Sequence, residues 1–215
     1  MKKNKIEFDL ESIEDENIKN FIQSELANCK KHKISVEIIK NTDVNSDCNG
    51  QFSDEPNPCL TVNISNNIDE WLHIFVHETC HKDQFLERSS VWTAKIGDEF
   101  DSLDIFDLWI ERHVELKKHQ LRPVLDHIIQ VELDCERRAV AKIQKYNLPI
   151  NITEYIQKSN SYIWYYHAAA HQRAYTQRTT PYDNPELWSK MPVDFNNNYS
   201  IINSKMLKLF IKYCY

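Results

Sequence analysis

The sequence predicts an α+β fold, and three observations carry that expectation. Apolar and polar residues alternate in two short segments ahead of residue 66. Helical periodicity with N-capping residues dominates from Asn67 onwards. The strands come early and the helices follow, which is the order of a segregated α+β chain rather than of βαβ units.

Asp15 to Lys31 reads as a helix, with Ile18, Phe21, Ile22 and Leu26 on one face. Lys33 to Lys40 reads as a strand, because Ile34, Val36 and Ile38 alternate with polar residues. Asn41 to Pro58 is polar, carries Gly50, Pro56 and Pro58, and reads as a loop. Leu60, Val62 and Ile64 alternate again, and Cys59 to Ser65 is expected to form a sheet edge. Asn67 with Glu70 is a helix-start signature, and the helix it opens buries Ile68, Trp71, Leu72, Phe75, Val76 and Thr79. Leu103 to Lys117 reads as the next helix. Pro123 suits a first helical turn, so another helix is expected from there to about Tyr146. Asn151 with Glu154 repeats the capping signature and opens a helix to about Tyr175. A Pro-rich loop, Thr180 to Pro192, and a final helix, Ser204 to Lys212, complete the chain.

The length of 215 residues suits one domain over 1–215. Its strands would lie within 33–65, a key helix at about 67–86, a helical lobe over 103–175 and a C-terminal extension over 176–215. With only 2 glycines, the sequence argues against glycine-rich phosphate loops and against a dinucleotide fold that needs GxGxxG. A formal charge of −6 gives no reason to expect nucleic acid as a partner, and no stretch is apolar enough to span a bilayer. The 6 cysteines are irregularly spaced without a CxxC pair, and no apolar leader opens the chain. They read as reduced thiols of a cytoplasmic protein, with a Cys48–Cys59 bridge or shared metal as the alternative.

The chemistry concentrates at His77-Glu78-Thr79-Cys80-His81. On a helix, residues four apart share a face, so His77 and His81 can hold one Zn²⁺ ion. Glu78 falls beside that ion, where it can act as general base towards a zinc-bound water. The motif follows an apolar run, Trp71-Leu72-His73-Ile74-Phe75-Val76, expected of a buried helix. These residue types at this spacing point to zinc-dependent hydrolysis of peptide bonds, with a peptide or protein as substrate. A zinc hydrolase of another amide or ester, and a binding protein without turnover, are the alternatives. The intact Glu78 disfavours the second.

The segment Phe75-Val76-His77-Glu78-Thr79-Cys80-His81, with Glu132-Leu133-Asp134-Cys135-Glu136-Arg137-Arg138-Ala139 downstream, resembles the gluzincin branch of the zincin metallopeptidases. The chain is also similar to uncharacterised HExxH proteins encoded by phages and large viruses. The resemblance covers Leu60 to about Tyr175. It implies a zincin-like fold, in which a small N-terminal sheet packs on the HExxH helix and a helical second lobe follows. For a viral chain it implies the host cytoplasm as location. It departs from the pattern in having Glu136 where Asp is commoner, and in the long gap between its two motifs. The longer metzincin motif is absent, since Gln84 and Glu87 occupy the places of its glycine and third histidine.

For the third ligand the candidates are Glu87, Glu132, Asp134 and Glu136. Leu125, Ile128, Cys135 and Ala139 mark an apolar stripe with steps of three and four, and position 132 falls within it. A carboxylate there points into the core and needs a cation, so Glu132 is the expected ligand. The alternative is an ion pair with Arg138 or Arg173. Asp134 faces about 160° away. Glu136, at the edge of the stripe, suits a carboxylate that supports a ligating histidine. On the later helix, His167 and His171 repeat the four-residue spacing, and Tyr166 lies beside them. They could contact a transition state or simply build a structural helix, and the structural reading is favoured. Arg173 and Arg178 could hold a substrate carboxylate. His113, on the face of Ile105 and Trp109, reads as packing.

Overall fold

A computed structural model describes residues 9–40, 49–64, 67–94 and 101–215. Among them are helices α1 (Glu16–Lys31), α2 (Ile68–Leu86), α3 (Ser90–Thr93), α4 (Ser102–Ile110), α5 (Lys118–Lys145), α6 (Ile152–Gln172), α7 (Pro185–Trp188) and α8 (Ser204–Cys214). The strands are β1 (Ser35–Ile39), β2 (Gly50–Ser53) and β3 (Cys59–Asn63). The class is α+β. The chain forms two compact units, Met1–Ser89 with Arg137–Ile150, and Ser90–Glu136 with Asn151–Tyr215.

The first unit is built on α2. Its start is fixed as the sequence requires. The Asn67 Oδ1 accepts the Glu70 N–H at 3.1 Å, and the Asn67 amide donates back to the Glu70 carboxylate at 3.1 Å. Asp15 caps α1 in the same way, accepting from the N–H groups of Asn17 and Ile18. Ile18, Phe21, Ile22 and Cys29 are buried along one face of α1, and Phe21 meets Phe75 of α2 edge-on at 5.7 Å. The sheet order is β1-β3-β2, with β1 parallel and β2 antiparallel to β3. Leu60 and Val62 of β3 are fully buried, and α2 packs against β2 and β3.

Two expectations are corrected here. The segment 41–58 is not wholly loop, since β2 lies within it and pairs Gly50 with Val62 and Ser53 with Cys59. Its four residues offer one inward apolar side chain, Phe52, which packs on Phe85 of α2 at 5.5 Å. That is too little alternation to outweigh the surrounding turn residues. In consequence β3 is the central strand, not an edge, and β1 and β2 take the two edge positions among the described residues.

In the second unit, Phe106, Ile128, Ile163, Ala168, Leu187 and Phe210 belong to one buried core. Asn151 caps α6 through Glu154 N–H at 3.1 Å, as expected. The helix expected over 103–117 ends at Ile110. Arg112 turns left-handed at φ 66°, and His113 N–H returns to the Leu108 carbonyl at 2.8 Å, the hydrogen-bonding of a Schellman cap. His113 therefore lies beyond the helix and is exposed, paired with Glu111 at 3.4 Å, instead of packing on it. Next, α5 begins at Lys118, where the Gln120 side chain accepts the Lys117 N–H at 3.0 Å. Pro123 sits inside that helix rather than at its first turn, at the cost of one intrahelical bond. The C-terminal segment is part of this unit's core, with Phe210 and Cys214 of α8 fully buried.

Among the described residues Cys29, Cys59, Cys80, Cys135 and Cys214 are in no disulfide, while Cys48 lies outside the described residues. Among the described residues no helix is long and apolar enough to cross a membrane.

Candidate metal centre

Residues 77–81 lie in the middle of α2, so the four-residue spacing of the histidines is realised on one helical face. The His77 and His81 rings meet edge to face with centroids 4.7 Å apart, and their Nε2 atoms are 3.0 Å apart. Two nitrogens bound tetrahedrally to one zinc, each at about 2.0–2.1 Å, stand roughly 3.3 Å apart. The pair therefore needs only a few tenths of an ångström of adjustment to take the ion. The other nitrogen of His81 is also engaged, with Nδ1 2.8 Å from the Oε1 of fully buried Gln84.

Glu78 is buried, at 8% exposure, and lies against β2. An added Cβ at Gly50 would overlap the Ile74 side chain, and would approach the Glu78 Cγ to 3.0 Å and its Oε1 to 3.3 Å. The glycine leaves the space in which the general-base candidate sits. In the sequence it reads only as a loop residue.

A charged network grips the opposite face of α2, where helical spacing puts Thr79, Lys82 and Asp83 roughly half a turn from the two histidines. Lys82, almost fully buried, donates to the Glu25 carboxylate of α1 and to the Asn28 side-chain oxygen at 2.9 Å. Lys142 of α5 donates to Glu25 at 2.8 Å, to Asp83 at 2.8 Å, and to the Thr79 hydroxyl at 3.0 Å. Two lysines thus meet two carboxylates, and each charge is compensated as burial demands. Burial alone would raise the Asp83 carboxyl, but the two ammonium groups hold it below the ordinary carboxylate range. Burial opposes the charge on Lys142, yet the carboxylates of Glu25 and Asp83 raise it above an ordinary lysine.

The remaining candidates fall in the second unit, apart from Glu87. Glu132 and Glu136 of α5 are buried at 7% and 2% exposure, and Asp134 between them is half-buried. The stripe through Leu125, Ile128, Glu132, Cys135 and Ala139 is buried as its periodicity predicts. Glu132 faces the Tyr166 hydroxyl at 3.5 Å, which also meets the Tyr162 hydroxyl at 2.9 Å. Tyr155 donates to Glu136, and burial together with that carboxylate pushes the tyrosine well above its ordinary range. Glu87 ends α2 and pairs with Arg138 at 2.7 Å.

His167 donates from Nε2 to the Tyr199 carbonyl at 2.6 Å, and burial keeps it below the ordinary histidine range. His171 is exposed. The Arg173 guanidinium is committed to the end of α4, donating to the Trp109 carbonyl at 2.8 Å, to that of Val114 at 3.1 Å and to Glu115. Arg178 donates to the Lys212 carbonyl at 3.1 Å. In this arrangement both arginines hold structure together.

No family model, no curated protein and no solved structure matches this chain.

Proposed function

We propose that the chain is a zinc-dependent hydrolase of peptide bonds, gluzincin-like in its ligand set. His77 and His81 would hold the ion with Glu132 as third ligand, and Glu78 would act as general base. The observation that carries this reading is the pair of Nε2 atoms 3.0 Å apart on one buried helix, with a buried glutamate next in sequence. The donor set suits zinc, which takes imidazole nitrogen and carboxylate oxygen in tetrahedral array. When bound, zinc supplies Lewis acidity at the scissile carbonyl and lowers the pKa of a coordinated water towards about 7.

The protein's own groups account for the rest. The Glu78 carboxylate takes the proton of the attacking water and hands it to the leaving amine. The edge strand β2, whose Gly50 abuts Glu78, supports a substrate lying along it as an added strand through main-chain hydrogen bonds. Glu136 is proposed as a carboxylate that supports the ligand set, and His167, His171, Tyr166 and Arg173 are not needed for the chemistry.

The test is metal analysis of the purified chain, followed by incubation with a mixed peptide library and mass spectrometry of the products. One zinc per chain and new peptide termini are expected. Zinc without cleavage of any peptide would favour hydrolysis of another amide or ester, or binding alone. A chain that takes up no zinc would overturn the reading.

A further inference from the structure

We propose that Gln84 is a positioning residue that holds the His81 imidazole as its Nδ1–H tautomer, with the Nε2 lone pair turned towards His77. The inference rests on the zinc reading for its purpose, but its geometry stands on α2 alone. Gln84 lies three residues after His81, one helical turn on, so its side chain reaches the ring from the same face. Its Oε1 is 2.8 Å from Nδ1. An amide oxygen can only accept a hydrogen bond, so Nδ1 carries a proton, and in the neutral ring Nε2 is then left bare. Nε2 in turn lies 3.0 Å from the Nε2 of His77. Two bare nitrogens would repel at that distance, so in the metal-free protein the single proton between them belongs to His77.

The arrangement matters because a histidine side chain free in water prefers the opposite tautomer, with the proton on Nε2. An unassisted His81 would have to exchange tautomers before ligating through Nε2. Gln84 removes that step and also fixes the ring plane. It is fully buried, so water does not compete for the Nδ1 proton. This device is carried by the motif helix itself, three residues past the second histidine.

The experiment compares wild type, Gln84→Met and Gln84→Glu in two readouts. The first is the ¹⁵N pattern of the His81 ring in the metal-free protein under conditions where it is neutral. The second is zinc affinity, measured by competition with a chromophoric chelator. Wild type should show a protonated Nδ1 and a bare Nε2. Gln84→Met, similar in volume but without an acceptor, should lose that pattern and bind zinc about tenfold more weakly or worse. Gln84→Glu keeps an acceptor and should retain both the tautomer and the affinity, which separates the hydrogen bond from packing. A protonated Nε2 on His81 in wild type would overturn the proposal, as would a Gln84→Met variant with unchanged ring pattern and affinity. Should wild type show the expected tautomer yet bind no zinc, the metal reading fails while the role of Gln84 at the ring stands.

Discussion

Gly50 stands so close to Glu78 that a Cβ at position 50 would lie 3.0 Å from the glutamate Cγ and 3.3 Å from its Oε1. The same atom would overlap the Ile74 side chain, one turn earlier on α2. A single methyl group therefore cannot enter without moving the strand, the isoleucine or Glu78, the proposed general base. Gly50→Ala is expected to reduce turnover by about tenfold or more, since small displacements of a catalytic group are costly. Zinc content should be unchanged, because neither histidine is touched. Peptide turnover and metal analysis on the same preparation check this, and wild-type turnover in the variant would contradict it.

Glu132, Asp134 and Glu136 of α5 should separate by function. Glu132→Ala is expected to weaken zinc binding by about tenfold or far more, and Asp134→Ala to leave it unchanged. Glu136→Ala should fall between them. Chelator competition orders the three, and equal affinities for Glu132→Ala and wild type would remove Glu132 from the ligand set.

The network of Glu25, Lys82, Asp83 and Lys142 ties α1 and the end of α5 to the motif helix, so it should govern stability and its pH range. The Asp83 carboxyl is held below its ordinary value, so the stability it contributes is present above pH about 4 and is lost as pH falls through the lowered value. Lys142 is raised, so its contribution is present below pH about 10.5 and is lost only as pH rises beyond that. The contribution of the network itself should be constant between these limits. Asp83→Asn should flatten the acid limb, and Lys142→Met should destabilise by about 3–5 kcal/mol because it strands buried carboxylates. An unaltered acid limb in Asp83→Asn would count against the network.

What could be read from the sequence follows from how local each signal is. His77 and His81 were legible because their meeting needs only a helix, and Asn67 with Glu70 announced one. The burial of Glu132 followed from the apolar residues before and after it on α5. The end of α4 was hidden, because Arg112 adopts a left-handed conformation without a glycine to mark it. The edge strand β2 was hidden because Phe52 is its one inward apolar residue. Glu25, Asp83 and Lys142 meet only after folding, and nothing in their local sequence distinguishes them from solvated charges. Gln84 offered a spacing that could have been noticed, three residues beyond the second histidine, but glutamine on a helix is ordinarily exposed.

The central claim is tested most directly by Glu78→Gln, compared with wild type in zinc content and in cleavage of the same peptide mixture. The substitution keeps the size of the side chain and removes its ability to accept a proton. The expected result is a folded protein with one zinc per chain and a loss of turnover of at least about a hundredfold. Turnover within a factor of a few of wild type, with zinc retained, would contradict the assignment of Glu78 as the general base of a zinc hydrolase.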